Sequence, residues 1–430
     1  MKNKCLRKVV SIALVSAMIG SMAAGCGSAE SDGGDKGGEK KISVMASAGW
    51  VRDIDRELAA KFEEETGIKV DIQANPDDQY NNVLKTRLSS GEGPDIFFFE
   101  SGLALEQIQP DEYALDLSDE SWVEKYPDWM VEQASYDGKI VGFTRWSRDF
   151  RAMLYNKEIF EQYNIEVPTD YASFKEACET LLDNGLTPVY FPAKEEWVCS
   201  QVFDGAINME TKAPGTYDKL NNNETTFSES EEALKFLNNL NDSAQSGYFG
   251  ENYLSDTFDQ GPAALASGQY AMWFGWSTYV NDIAAAGDIP ADSWGAFPCP
   301  FADDFSTVAM TGAGMTAMIN KDSENIEECK QYFDFLAEEE NLQAYYDART
   351  DLLESTMEGA TATAPVCFTE IMEQTGNKTE FSTAQSIKYM SADGSFGKNI
   401  QSMFFGQMTP EQVLESMDTA RSQMFETVGE

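Results

Sequence analysis

Three arginines, Arg145, Arg148 and Arg151, fall within seven residues in T-R-W-S-R-D-F-R, with Trp146 between the first two. They stand out because the 430 residues hold only 31 Lys and Arg against 73 Asp and Glu. In an extended segment Arg145 and Arg151 lie on one side and Arg148 on the other. A guanidinium fork can grip a carboxylate bidentately, donate to neutral hydroxyls, or pair with one of the chain's own acids. The spacing leaves all three open.

The chemistry the sequence excludes is wider. It has no histidine, so it has no Ser-His-Asp or Cys-His dyad, no H-E-x-x-H zinc site and no imidazole base. Paired carboxylates would suit a glycoside hydrolase, but 73 acids make such pairs by chance and nothing marks two of them. The expectation is a chain that is not an enzyme and needs neither cofactor nor metal. A surface adhesin is the remaining structural class. A net charge of −42 argues against gripping a nucleic-acid backbone, which takes clustered Lys and Arg. With 42% hydrophobic and 12% aromatic residues, the chain is too apolar to be disordered, whatever its charge. Cys178, Cys199, Cys299, Cys329 and Cys367 are odd in number, widely spaced and without C-x-x-C. Buried free thiols are expected, not a disulfide framework.

The elements that must position these groups alternate. K-I-S-V-M-A from Lys41 reads as a strand. Asp53 to Thr66 then sets Ile54, Leu58, Ala59 and Phe62 on one helical face, stopped by Gly67. I-K-V-D-I, a helix over Tyr80 to Ser90 and the buried run G-P-D-I-F-F-F continue the alternation as βαβ units. Strands at 151–155, 270–274 and 315–319 and helices at 171–184, 231–246, 326–338 and 410–425 extend it. The fold class is α/β, one continuous architecture in two lobes.

The first 25 residues differ from the rest. Lys2, Lys4, Arg7 and Lys8 precede a charge-free run, Val9 to Gly25, which reads as a secretory signal. The run ends A-A-G-C-G-S, which resembles the lipobox of bacterial lipoproteins, departing from it at Ala23, where Leu is usual. That resemblance implies a lipid on Cys26; an ordinary signal cut near Ala24 is the alternative. Residues 26–40 are Gly-rich, with nothing apolar larger than Ala after Cys26, and read as a flexible linker. Without residues 1–25 the balance becomes 27 basic against 73 acidic groups.

Several segments together carry a further resemblance: F-E-E-E-T-G-I-K-V (62–70), L-S-S-G-E-G-P-D-I (88–96), D-G-K-I-V-G-F (137–143), L-Y-N-K-E-I-F (154–160), L-A-S-G-Q-Y-A-M-W-F-G-W (265–276) and G-A-G-M-T-A-M-I-N-K (312–321). In this order and spacing the chain resembles the extracellular solute-binding proteins of ABC importers, specifically the family 1, maltose-binding-protein-like carbohydrate binders. The resemblance implies a two-lobed periplasmic-binding-protein-like fold of type II, with a ligand cleft between the lobes. It places crossings near Ser147 to Phe150, Phe301 to Val308 and Thr350. The first lobe would be 41–148 with 307–350, and the second 149–306 with 351–430. It also implies a monomer held on the extracellular face of the bacterial cell membrane through Cys26, partnered by a carbohydrate and by permease subunits.

A sugar offers apolar C–H faces, which flat aromatic rings cover, and hydroxyls, which need polar partners when buried. Candidates therefore sit where strands end at the cleft. The resemblance makes Trp276 a stacking residue. Trp50 follows the first strand, and Phe99, Glu100 and Ser101 end the third. Trp197 falls in a cleft loop with Glu195 and Lys194. Thr311 and Gly314 occupy a turn that needs small residues, and Asp393 lies near the mouth. Arg145, Trp146 and Arg148 complete the set, and with them the question of whether the ligand is a neutral sugar or a uronate. Trp122, Trp129, Trp273 and Trp294 are read as structural, and Tyr155 as core.

Overall fold

The computed structural model describes residues 40–76, 79–390 and 395–428, all within one compact unit. Cys26 and the linker, together with Asp393, lie outside the described residues. Strands β1 (Lys41–Ser47), β2 (Lys69–Asn75) and β3 (Ile96–Glu100) alternate with helices α1 (Asp53–Thr66) and α2 (Tyr80–Ser89). Both helices form for legible reasons. Ile54, Leu58, Ala59 and Phe62 are buried along one face of α1, and Gly67 closes it at φ 74°, a left-handed conformation that suits glycine. Tyr80, Leu84 and Leu88 do the same for α2.

The chain then builds a second sheet from β4 (Phe150–Asn156), β5 (Thr187–Tyr190), β6 (Tyr270–Gly275), β7 (Trp294–Pro298) and β8 (Val308–Met310). It returns to the first with β9 (Met315–Ile319), and later adds β10 (Thr379–Phe381) to the second. The first sheet has the order β9-β3-β1-β2, with β9 antiparallel to its neighbour and the others parallel. The second has the order β10-β8-β4-β6-β5, with β7 pairing β4 beyond the end of β8. Each sheet has its own apolar core. Phe62, Trp122, Phe143 and Phe333 anchor the first, and Phe174, Phe203, Phe236 and Phe301 are among those that anchor the second.

The chain therefore passes between lobes at three places, and two differ from the expected positions. Met310 pairs with Phe150 and Ala309 with Arg151, so 308–310 belongs to the second sheet and the return falls between Met310 and Met315, not at Phe301 to Val308. Leu352 and Met357 are buried in the first core, so the last passage follows Met357 and not Thr350. The physical reason is the same in both cases: a short apolar segment joins whichever sheet offers an unpaired edge or core, and composition does not say which.

Cys178, Cys199, Cys299, Cys329 and Cys367 are free and buried, and burial pushes the thiols of Cys299 and Cys367 up to about 12. Among the described residues no helix is long and apolar enough to cross a membrane, and no group of three or more acidic, Cys or His residues gathers to hold a metal ion.

Candidate ligand cleft

The passages between lobes bring particular strand ends together. On the first lobe these are the ends of β1 and β3 and the start of β9; on the second, the start of β4 and the ends of β6, β5 and β8. Trp146 and Arg151 are five residues apart across the first passage, and Thr311 and Gly314 three apart across the second. Side chains at these ends must flank one cleft.

The first-lobe wall is aromatic over an ion pair. Trp50, half-buried in the short 3-10 turn after β1, meets Tyr80 edge-on with centroids 4.9 Å apart. Trp146 is half-buried, and Gly314, at φ 69°, lies against it: a Cβ there would come within 3.0 Å of the indole. The glycine thus leaves room for this ring. Behind them Arg145 is only 7% exposed, pairs with Asp55 at 3.0 Å and sits 3.9 Å over the Tyr345 ring. Trp50, Trp146, Asp55, Arg145 and Tyr345 line one recess of ≈ 40 Å³.

The second-lobe wall is an aromatic box. Trp276 is half-buried after β6, with Trp273 5.4 Å and Phe258 5.6 Å away. Phe258 in turn meets Trp197 at 4.9 Å, edge-on. Trp197 is 40% exposed, but it belongs to the first turn of a helix, Glu196–Gln201, and not to a loop. Gly397 lets the helix Phe396–Phe404 lie directly on the Glu196 backbone, which fixes where Trp197 stands. Arg151 pairs with Asp204 at 3.2 Å and covers Trp276 with its guanidinium 5.0 Å from the ring centroid. Arg151, Gln201, Trp197 and Trp276 border a recess of ≈ 20 Å³. Spaces of ≈ 40 and ≈ 20 Å³ hold a few waters each.

Other expected residues have different tasks. Phe99 is 1% exposed in the core with Tyr80, Leu84 and Leu105. On strand I-F-F-F-E its side points inward, so it presents nothing to a ligand. Thr311 donates its backbone N–H to the Asp149 carbonyl (2.6 Å), and its hydroxyl accepts from the Asp149 N–H (2.8 Å), so it fastens two passages together. Glu195 accepts from the Phe258 N–H at 3.1 Å and so positions that ring. Arg148 is bonded to Glu354 and lies 4.5 Å over Trp129. The arginine cluster is thus divided. Arg145 turns into the first lobe and Arg151 into the second, because the chain changes sheets between them and the alternation of a single strand does not apply.

Glu100 ends β3 with its side chain solvent-exposed, yet the dense protein around it raises its pKa above the ordinary 4.5, with Lys85 opposing. A group that water reaches while protein surrounds it is what a cleft wall produces. Asp149 lies at the first passage. Its carboxylate accepts from the Ser277 N–H (3.0 Å) and hydroxyl (2.7 Å) and from the Thr278 hydroxyl (3.2 Å). Burial raises its pKa, and those bonds oppose the rise. Burial also raises Glu380. Each of these groups holds its proton more tightly when folded than unfolded. Their contribution to stability is therefore greatest in mild acid and is lost as pH climbs from the ordinary carboxylate range through the raised values. Asp71 and Asp242, lowered by hydrogen bonds from Lys41 and Lys175, contribute fully above that ordinary range. The melting midpoint should therefore be higher at pH 5 than at pH 8. A flat or rising scan of midpoint against pH over that interval would contradict the directions given for Glu100, Asp149 and Glu380.

Asp149, Phe258, Tyr345 and Gln201, which lie beside these walls, are not legible in the sequence as candidates. One signal was present for Phe258: Thr257 and Gln260 form a capping box around it, a sequence pattern that fixes a turn.

Residues 48–343 match the model of the family described as bacterial extracellular solute-binding protein. An uncharacterized ABC transporter extracellular-binding protein of Pyrococcus horikoshii is 23% identical over 61% of this chain and 60% of its own length. The melibiose/raffinose/stachyose-binding protein MelE of Bacillus subtilis is 27% identical over 42% of each. The chain thus spans between two-fifths and three-fifths of the curated relatives it matches. Among solved structures, the binding protein MsmE of Bacillus subtilis in an open conformation superposes with a TM-score of 0.77 at 19% identity, over 91% of this chain and 99% of that one. A sugar transporter of Bacillus licheniformis in complex with stachyose gives 0.67 at 20% identity, over 89% and 99%. These likenesses carry the two-lobed type II fold.

Proposed function

Because the chain belongs to the bacterial extracellular solute-binding proteins, we propose that it captures a carbohydrate between its two lobes and delivers it to the permease of an ABC importer. The observation that carries this reading is the pair of tryptophan-bearing walls, Trp50 and Trp146 on one lobe and Trp197 and Trp276 on the other, each beside buried hydrogen-bonding side chains. Flat rings complement the C–H faces of pyranoses, and Arg, Asp, Glu and Gln groups complement their hydroxyls. The name of MelE, a relative over two-fifths of the chain, agrees with that chemistry.

The lobes in this reading are 41–148 with 312–362 and 150–310 with 366–428, hinged at the three passages so that closure traps the ligand. The protein binds and releases without turnover. The lipid on Cys26 and the Gly-rich linker hold it, as a monomer, on the outer face of the membrane.

A thermal-shift screen of the protein against mono- and oligosaccharides, raffinose and stachyose among them, tests the proposal. A ligand at about 100 times its Kd stabilises the native state by about 2.7 kcal/mol, so at least one sugar should raise the midpoint by several degrees. If no carbohydrate moves it, the sugar assignment fails.

A further inference from the structure

We infer that the cleft is built for an uncharged carbohydrate and discriminates against uronic acids, an inference that rests on the carbohydrate reading above. Four arginines border the passages, and each carries both a resident carboxylate and an aromatic ring. Arg145 has Asp55 at 3.0 Å and Tyr345 at 3.9 Å; Arg151 has Asp204 at 3.2 Å and Trp276 at 5.0 Å. Arg148 is bonded to Glu354 with Trp129 at 4.5 Å. Arg349, 2% exposed, grips Asp351 through two bonds of 2.7 Å and lies 4.4 Å over Trp146. None of these forks has net charge to offer.

A uronate reaching any of them would add a third charge to a neutral pair. It would either leave a surplus anion in a poorly solvated recess or expel the resident carboxylate without a partner, and both are costly. Among the described residues, cations here without a carboxylate partner, Arg52, Lys85 and Lys194 among them, are of another kind: all three are exposed, with Arg52 bonding the Gly49 and Val51 carbonyls and Lys85 lying near Glu100. Solvent screens them.

A neutral hydroxyl faces no such penalty. Among the described residues, Arg145 Nη1 has no hydrogen-bond partner, at the recess of Trp50 and Trp146. A hydroxyl oxygen would satisfy that donor and leave the balance of charge unchanged.

Calorimetric titration of the protein with neutral oligosaccharides and their uronate counterparts, galactobiose against digalacturonate among them, tests this. The neutral member of a pair that binds should be at least 100-fold tighter. A uronate within tenfold of its neutral counterpart, or tighter, overturns the inference. If neither member of any pair binds, the carbohydrate reading itself falls, which is a different outcome. Asp204→Asn should free Arg151 and raise uronate affinity at least tenfold. If that variant does not fold, Glu354→Gln does the same for Arg148 at a more exposed pair. Unchanged uronate affinity in a folded variant would show that the resident carboxylates are not what excludes the acid.

Discussion

Trp276→Ala should lower affinity for the bound sugar by roughly 30- to 300-fold, about 2–3.5 kcal/mol, while the protein stays folded. The indole is held by Phe258 at 5.6 Å, Trp273 at 5.4 Å and the Arg151 guanidinium at 5.0 Å, so it meets a ligand already oriented. A ring fixed in advance loses little rotamer entropy on binding, which is why such positions dominate affinity. Its half-burial limits the damage to the fold to about 1–2 kcal/mol. Calorimetry well below the melting midpoint therefore separates lost contact from lost structure. Trp276→Phe should recover part of the affinity by keeping a flat apolar face. Equal affinity for wild type and the alanine variant would remove Trp276 from the site.

Gly275→Ala, one residue earlier, should act through the fold instead. Gly275 and Trp273 lie on the same side of β6, and the Trp273 ring folds back over the glycine so closely that a Cβ would fall inside the ring's van der Waals envelope. The ring cannot retreat easily, because it stacks on Tyr279 at 3.9 Å and is 2% exposed. Overpacking of this kind costs about 3 kcal/mol, which in a chain this long lowers the midpoint on the order of 5 °C. Trp273 also abuts Trp276, so sugar affinity should fall along with stability. A variant that melts with wild type would mean that the ring finds another rotamer without penalty. The two adjacent substitutions thus predict opposite patterns: affinity lost with modest destabilisation, and destabilisation that carries affinity with it.

The helices and strands were legible because burial follows a period. In α1 the buried set Ile54, Leu58, Ala59 and Phe62 is the one that 3.6-residue spacing selects. Trp50 and Trp276 were legible as cleft candidates because each directly follows a strand. What failed did so where period gives no direction. In I-F-F-F-E both faces of β3 are largely buried, so alternation cannot say that Phe99 turns inward. The helix Glu196–Gln201 is too short to show a period, so Trp197 reads as a loop residue. Arg145 and Arg151 share a side only if one strand carries both, and the chain changes sheets between them. The partners that decide their chemistry, Asp55 and Asp204, are 90 and 53 residues away in sequence. No local pattern among 73 acids singles them out.

Asp149 has one more consequence. Its backbone is bonded both ways to Thr311 at the second passage, and its carboxylate holds Ser277 and Thr278, the two residues that follow Trp276. If the lobes close about these passages as proposed, any turn of that peptide acts on Ser277 and so on the segment that carries Trp276. The tilt of the indole and the angle between the lobes would then share one linkage, a single side chain long.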